Sequence, residues 1–282
     1  MNSILAPENR PVKDSDTPLP AHAAADAAPR PGDHYVQSFA RGLEVIRSFS
    51  DQAPQQTLSD VAARTGLTRA GVRRILLTLQ TLGYVQSDGR WFRLTPRILY
   101  LGFAYLSSLP IWNLAEPVME QLSAQVHESV SAAVLEGTDV VYVLRVSTRS
   151  LLRMSLGAGS RLPAYCASLG RVLLAGLGDT QAHAVLSQSA LEPRTRHTLT
   201  DVDALMAQVR LTREQGWALV DQEMEEGVIS IAAPIIGRNG QVLAAINVSG
   251  QANRTSAADM QATMLGPLRD ATEQIARLLA AR

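Results

Sequence analysis

Residues 57–95 read TLSDVAARTGLTRAGVRRILLTLQTLGYVQSDGRWFRLT, and this stretch decides the fold of the first part of the chain. Thr57 with Asp60 is typical of a helix start, where a hydroxyl caps free N–H groups and an acid occupies the first turn. The short helix that follows ends at Gly66, because glycine adopts a left-handed turn without steric cost. Thr68 then caps a second helix.

The second helix of this stretch has one apolar and one cationic face. Its apolar side chains follow helical spacing at Val72, Ile75, Leu76, Leu79 and Leu82. Arg69 and Arg73 are four residues apart and share the opposite face, with Arg74 beside them. Two short strand patterns then flank Asp88-Gly89, a strong signal for a two-residue hairpin. Helix, turn, arginine-bearing helix and hairpin together predict a winged helix-turn-helix.

Positive charge is concentrated in the same part of the chain. Residues 35–97 hold nine arginines and four acids, whereas the whole chain has 26 basic and 26 acidic residues. Two exposed arginines are also compatible with an ordinary solvated helix face, but phosphate binding requires a local cationic surplus. We therefore predict binding to double-stranded operator DNA, with the second helix in the major groove and the hairpin on the neighbouring backbone or minor groove. The candidate DNA contacts are Thr68, Arg69, Arg73, Arg74, Arg90, Arg93 and Arg41.

The composition of the chain limits the classes of protein to which it can belong. Its 282 residues, 46% of them apolar, suggest two domains with packed cores. The single cysteine, Cys166, excludes an internal disulfide framework and fits a reducing cytoplasm. No apolar run reaches the roughly 20 residues of a membrane helix, and no signal-peptide pattern is visible. Residues 1–34 are rich in proline and alanine, which predicts a disordered tail.

Two domains joined by one apolar helix are predicted. Residues 35–96 form the winged helix-turn-helix, and its first helix, over 38–49, points Phe39, Leu43, Ile46 and Phe49 inward. Residues 97–109 form a linking helix that is apolar nearly all round and therefore has to be buried on every side. Packing against the same helix of a second subunit predicts a homodimer or a dimer of dimers. An ordinary core helix of the second domain, residues 110–282, is the alternative.

The second domain shows strand and helix patterns in turn. Strands are predicted over 131–135, 140–146, 151–156, 218–220, 229–236 and 242–249. Helices are predicted over 114–126, 168–175, 180–187, 201–214 and 256–281. This order predicts an α+β fold with a mixed, largely antiparallel sheet faced by helices.

The second domain carries no recognisable catalytic or metal-binding motif. The histidines at 127, 183 and 197 are scattered, and neither a metal-ligand spacing nor a glycine-rich nucleotide loop is present. We therefore expect no enzyme activity, no metal and no cofactor. An enzyme domain fused to a DNA-binding domain stays open as a remote alternative.

A small-molecule site is predicted where a loop enters the helix at residue 168. The N–H groups of Ser168, Leu169 and Gly170 can hold a carboxylate at that helix start, although a plain structural cap fits equally well. Asp221 leaves one predicted strand and Ser230 enters another, so their polar side chains can close over the same cleft. Arg145 and Arg153 either add charge to the site or are solvated strand residues, and we leave them outside it. Apolar walls for a bound molecule are available from Met154, Leu156, Leu162 and Leu169.

Several motifs of the chain resemble those of the IclR family of bacterial transcription regulators, over residues 35–281. They are RGL at 41–43, GL at 66–67, LGYV at 82–85, RLP at 161–163, GRVLLA at 170–175 and AAINVS at 244–249. Four more resemble the branch that regulates protocatechuate, 4-hydroxybenzoate and β-ketoadipate catabolism. These are YVQSF at 35–39, RILYLG at 97–102, YLSSLP at 105–110 and PAY at 163–165.

The resemblance implies a GAF-like effector domain and assembly as dimers or dimers of dimers. Ligand-lining positions of the family fall on Met154, Leu162, Ser168, Leu169, Asp221, Val228 and Ser230. Ser230 stands where some relatives have cysteine, and Ser168-Leu169 replaces a smaller pair, so the ligand is not carried over from distant members. We expect a cytoplasmic regulator that responds to a small aromatic or dicarboxylic acid and activates aromatic-catabolism genes with RNA polymerase. A repressor of another small-acid pathway is the alternative.

Overall fold

The computed structural model describes residues 35–50, 52–147 and 156–281, together with Gly32. Three helices and a hairpin come first, in the order of a winged helix-turn-helix. They are α1 Gln37–Arg47, α2 Leu58–Thr65, α3 Arg69–Thr81, β1 Val85–Ser87 and β2 Phe92–Leu94. Their buried side chains form one core, which includes Val45, Val61, Val72 and Leu76. The strands pair antiparallel, with Gln86 opposite Arg93.

Local hydrogen bonds explain why α2 and α3 begin where the sequence predicts. The amide of Asp60 donates to Thr57 Oγ1 at 3.3 Å, and the amide of Thr57 donates to Asp60 Oδ2 at 2.8 Å. These bonds from Thr57 hold the pKa of the Asp60 carboxyl below its usual value. Gly66 ends α2 with a φ of +67°. Thr68 Oγ1 accepts from the amide of Gly71 at 3.2 Å and caps α3.

The orientation predicted for α1 is partly wrong. Val45 is fully buried against the core, with Ile46 and Phe49 packed beside it. Phe39 and Leu43 were expected inside, yet they are 68% and 42% exposed. The helix is rotated so that Val45 faces the core. The apolar side chains of α1 do not all fit on that one face, so Phe39 and Leu43 stay exposed.

The helix α4, Leu99–Ser108, follows a short 3-10 turn at Pro96–Ile98. Five of its apolar side chains are open to solvent. Leu99 is 69% and Phe103 is 65% exposed. Tyr100, Leu101 and Tyr105 are exposed as well.

A six-stranded sheet forms the second part, with every described strand pairing antiparallel. The spatial order is β5-β4-β3-β8-β7-β6. The strands are β3 Ser129–Glu136, β4 Asp139–Val146, β5 Arg161–Pro163, β6 Ala218–Asp221, β7 Val228–Ile236 and β8 Val242–Gln251. The helices are α5 Pro110–Val126, α6 Ser168–Ala175, α7 Asp179–Gln188, α8 Val202–Gln215 and α9 Ala257–Ala280.

Helices cover both faces of this sheet. α5 and α9 pack on one face, over a core that includes Met119, Ile231 and Ile246. α6 packs on the other face, and α8 packs on α6. The α+β fold predicted from the order of strands and helices is confirmed.

The structure has one strand that the sequence does not predict. The short edge strand β5 occupies 161–163, where the sequence predicts a loop, and pairs with β4. The strand predicted over 151–156 lies outside the described residues except for Leu156, which is in no strand. In the part of the chain that the structure describes, no helix is both long enough and apolar enough to cross a membrane.

Candidate functional site

The cationic face of α3 is open to solvent. Arg69 is the first residue of the helix, and Arg73 lies one turn further along the same face. Arg69, Arg73 and Arg74 are all exposed, and within the described ranges none of them is in an ion pair. Thr68 is exposed beside them at the helix start. A helix with unpaired arginines in its first turns can approach phosphates and base edges.

The hairpin adds charge next to this helix. Asp88 accepts from the amides of Trp91 and Arg90, at 2.8 and 3.0 Å, which fixes the turn and holds the pKa of its carboxyl below the usual value. The guanidinium of Arg90 lies 5.5 Å from the centre of the Trp91 ring. Arg93 on β2 is exposed, as is Arg41 on α1. The structure therefore brings the candidate DNA residues to the surface.

A cavity opens on the α6 side of the sheet. It encloses about 630 Å³ of space, its open mouth included. Much of its wall is apolar, formed by Tyr142, Leu156, Leu162, Val220, Met224 and Val228. Burial raises the pKa of Tyr142 to about 12, so this phenol stays neutral. A concave wall that is mostly apolar and has a few polar groups is typical of a small-molecule site.

Five of the candidate effector residues line this cavity: Leu156, Leu162, Ser168, Val228 and Ser230. The hydroxyl oxygens of Ser168, from α6, and Ser230, from β7, are 2.8 Å apart and hydrogen-bonded. The structure thus brings together two residues that lie 62 positions apart in the sequence.

Three other candidates do not line the cavity. Leu169 is fully buried in the core between the sheet and the helices. Gly170 packs so closely on the backbone of Ala164 that an added Cβ would lie 2.0 Å from its carbonyl oxygen. Asp221 is exposed at the end of β6. The N–H groups of Ser168, Leu169 and Gly170 are predicted to hold a carboxylate. Of these three residues, Ser168 lines the cavity and the other two do not. Met154 lies outside the described residues.

Four polar residues outside the predicted site also line the cavity: Arg145, Glu225, Asn247 and Ser249. Asn247 and Ser249 stand at alternate positions of β8, and Arg145 is on β4. Polar side chains at alternate positions of an otherwise apolar strand are the signal that could have found the two β8 residues.

Cys166 lines the cavity as well, with its sulfur 3.4 Å from that of Met224. Burial raises the pKa of this thiol to about 11, so it is protonated at neutral pH and is a poor nucleophile. Among the described residues, no group of histidine, cysteine and acidic side chains could hold a metal ion.

A buried ion pair holds the loop at 222–227 that contributes to the cavity wall. Arg171 on α6 donates to Glu223 Oε2 at 2.6 Å, and the two side chains are 4% and 10% exposed. Thr198 adds a second anchor, since its hydroxyl donates to the Glu223 carbonyl at 2.6 Å. Met224 and Glu225, the next residues of this loop, face the cavity.

A winged helix-turn-helix with a free cationic face defines the class of DNA-binding transcription regulators. Comparison with known families agrees with this class. A model of the IclR helix-turn-helix domain matches residues 38–89, and a model of the bacterial transcriptional regulator IclR C-terminal domain matches residues 103–277. The chain belongs to the IclR family of bacterial transcription regulators.

Two relatives that are named as regulators, and not as enzymes, support this assignment. The chain is 41% identical to the Pca regulon regulatory protein of Pseudomonas putida, over 95% of this chain and 97% of the relative. It is 31% identical to the p-hydroxybenzoate hydroxylase transcriptional activator of Acinetobacter baylyi, over 88% of this chain and 93% of the relative. A crystal structure of an IclR homolog from Microbacterium hydrocarbonoxydans, complexed with 4-hydroxybenzoate, superposes with a TM-score of 0.78. It is 26% identical, covering 87% of this chain and 100% of the homolog.

Proposed function

We propose that this regulator binds a small hydroxylated aromatic acid in the cavity and thereby activates genes for aromatic-acid breakdown. The observation that carries the proposal is the cavity itself, whose apolar wall suits a ring and whose polar groups suit hydroxyl and carboxylate substituents. The relatives named for the Pca regulon and for p-hydroxybenzoate hydroxylase support the pathway.

The proposal extends to assembly and to the direction of regulation. A second copy of the chain covers the exposed face of α4. The dimer then places two copies of α3, the helix that reads the bases and is called the reading helix below, on one operator. As an activator the protein contacts RNA polymerase, in keeping with the relative named as an activator. A reporter gene behind the operator tests the direction: expression should rise with the effector and stay low without the protein, whereas expression that rises on deleting the protein indicates a repressor.

The reading helix and the hairpin should respond differently to loss of charge. Arg73→Ala removes a side chain placed to contact base edges, so operator affinity should fall by about 1–3 kcal/mol and sequence preference should relax. Arg93→Ala removes a backbone contact, so all sequences should weaken alike and the salt dependence should become shallower. Fluorescence anisotropy on operator and scrambled DNA, at several salt concentrations, measures both. Equal, sequence-independent losses from the two variants would mean that α3 does not read the bases.

Ser230 should discriminate between hydroxylated and unhydroxylated acids. Ser230→Ala removes one of the paired hydroxyls at the cavity wall. Binding of 4-hydroxybenzoate should weaken by about 0.5–1.5 kcal/mol, and binding of benzoate should change less. Titration calorimetry on the two acids is the measurement, with Ser187→Ala, on the exposed side of α7, as the control. Equal losses for both acids, or none, would show that the ring hydroxyl lies elsewhere.

A further inference from the structure

A row of polar side chains crosses the sheet at one end of the cavity. Strand register places Arg145 opposite Ser131, and Ser131 opposite Asn247. Arg145 Nη1 donates to Ser131 Oγ at 3.3 Å, which ties the first two members together. We call these three residues the polar row. Ser131 is fully buried and Asn247 is 4% exposed, whereas Arg145 is half-buried, so the row runs from the domain interior towards its surface.

Two members of the polar row have unused hydrogen-bonding capacity. Arg145 also donates to Ser147 Oγ, through Nε at 3.1 Å, but in the described part of the chain it is in no ion pair although its side chain lines the cavity. The Asn247 amide donates to Ser249 Oγ at 3.0 Å, and its Oδ1 has no partner among the described residues. Turning the amide over lets Ser249 donate to Oδ1 and leaves the NH₂ group to donate elsewhere. In either orientation one buried amide atom of Asn247 lacks a partner, which is costly unless a ligand supplies one.

The formal charges of the cavity wall are separated. Arg145 is on β4, whereas Glu225 is on the loop that enters β7, and β3 and β8 lie between these strands. A carboxylate is therefore favoured at the Arg145 end and disfavoured at the Glu225 end. The hydrogen-bonded pair Ser168 and Ser230 lies towards the β7 end.

We propose that the polar row binds the carboxylate of the effector and that the Ser168–Ser230 pair binds a hydroxyl opposite it on the ring. Arg145 supplies the charge, and the Asn247 NH₂ group donates the second hydrogen bond. Ser230 pairs with Ser249, two residues beyond Asn247, so Asn247 and Ser230 are diagonal neighbours about 7–8 Å apart. A benzene ring with para substituents that lies over this part of the sheet places its carboxylate above Asn247 and its hydroxyl above the Ser168–Ser230 pair. The inference rests on the proposed function and specifies its ligand class as a 4-hydroxylated benzoate.

The polar row should set the preference of the protein for an acid over its neutral amide. The probes are 4-hydroxybenzoate and 4-hydroxybenzamide, titrated calorimetrically into the full chain. The wild type should bind the acid about ten-fold or more tightly than the amide, since a hydrogen bond between charged groups is stronger than its neutral counterpart. Arg145→Met should reduce this ratio towards one. Asn247→Asp, which places a carboxylate in the row, should invert it.

Controls separate a local effect from a loss of structure. Arg210→Met removes an exposed arginine of α8 that does not line the cavity, so the ratio should stay at the wild-type value. If the Asn247→Asp protein still binds the amide, its cavity is intact. Arg145 is only partly buried, so replacing it should not unfold the protein, and Arg145→Met tests the row independently. Wild-type ratios in both row variants overturn this inference while leaving the proposed function standing. A wild type that binds neither probe overturns both.

Discussion

Replacing Arg171 with methionine should lower the free energy of unfolding by about 3–5 kcal/mol, because it leaves Glu223 buried without a countercharge. The Arg171 guanidinium lies 2.6 Å from the Glu223 carboxylate, and both side chains are almost fully covered. The loop at 222–227 should loosen with the loss of this anchor, which disturbs the cavity wall at Met224 and Glu225. Chemical denaturation followed by circular dichroism measures the stability.

Two further variants test whether the loss of stability comes from leaving the buried charge of Glu223 unpaired. The double variant Arg171→Met with Glu223→Leu removes both charges and should recover most of the lost stability, since a buried ion pair is often matched by apolar residues of similar volume. Arg210→Met should scarcely change stability, because Arg210 is exposed and Asp179 keeps its bond to Arg213. An Arg171→Met protein as stable as the Arg210→Met protein would refute the structural role of this pair.

Leu101→Glu should convert the protein to monomers and abolish tight operator binding. The side chain is 50% exposed on α4, beside the still more exposed Tyr100 and Phe103. If a second copy covers this face, a glutamate there is buried without a partner, which is strongly unfavourable. Monomers present one reading helix in place of two, so operator affinity should fall steeply. Light scattering gives the mass, and anisotropy on operator DNA gives the affinity.

Leu211→Glu is the matched control for this experiment. Leu211 is 46% exposed on a different helix, α8. It should leave both mass and DNA binding unchanged. A Leu101→Glu protein of wild-type mass, or a wild type that is itself monomeric, would mean that α4 is not an interface between subunits.

The elements that the sequence predicts well are those fixed by local chemistry. The helix at 168–175 has the bounds that the apolar spacing indicates, and the strands predicted at 131–135 and 140–146 form the β3–β4 hairpin. β5 was missed because a three-residue edge strand has no periodicity of its own and depends on pairing with β4. The side chains of Phe39 and Leu43 were misplaced because periodicity gives an apolar stripe but not the rotation of the helix against its neighbours.

The candidate site was only partly predictable from the sequence, again because local patterns do not fix which residues meet in the fold. A helix start indicates Ser168, and a strand start with the family resemblance indicates Ser230, but nothing local in the chain predicts that their hydroxyls meet. Asn247 was missed because its role depends on the register of β8 with β3, whose residues lie more than a hundred positions away. Arg145 could not be told from a solvated strand residue until that register was known.

Thermal unfolding of the full chain with and without 4-hydroxybenzoate tests the central claim most directly. A ligand bound in the cavity stabilises the folded state, by about 2.7 kcal/mol at a hundred-fold excess over Kd. We expect the unfolding temperature to rise with 4-hydroxybenzoate and with protocatechuate, and to rise less with benzoate and with a dicarboxylic acid. An unchanged unfolding temperature with every aromatic acid would contradict the claim that this cavity is an aromatic-acid sensor.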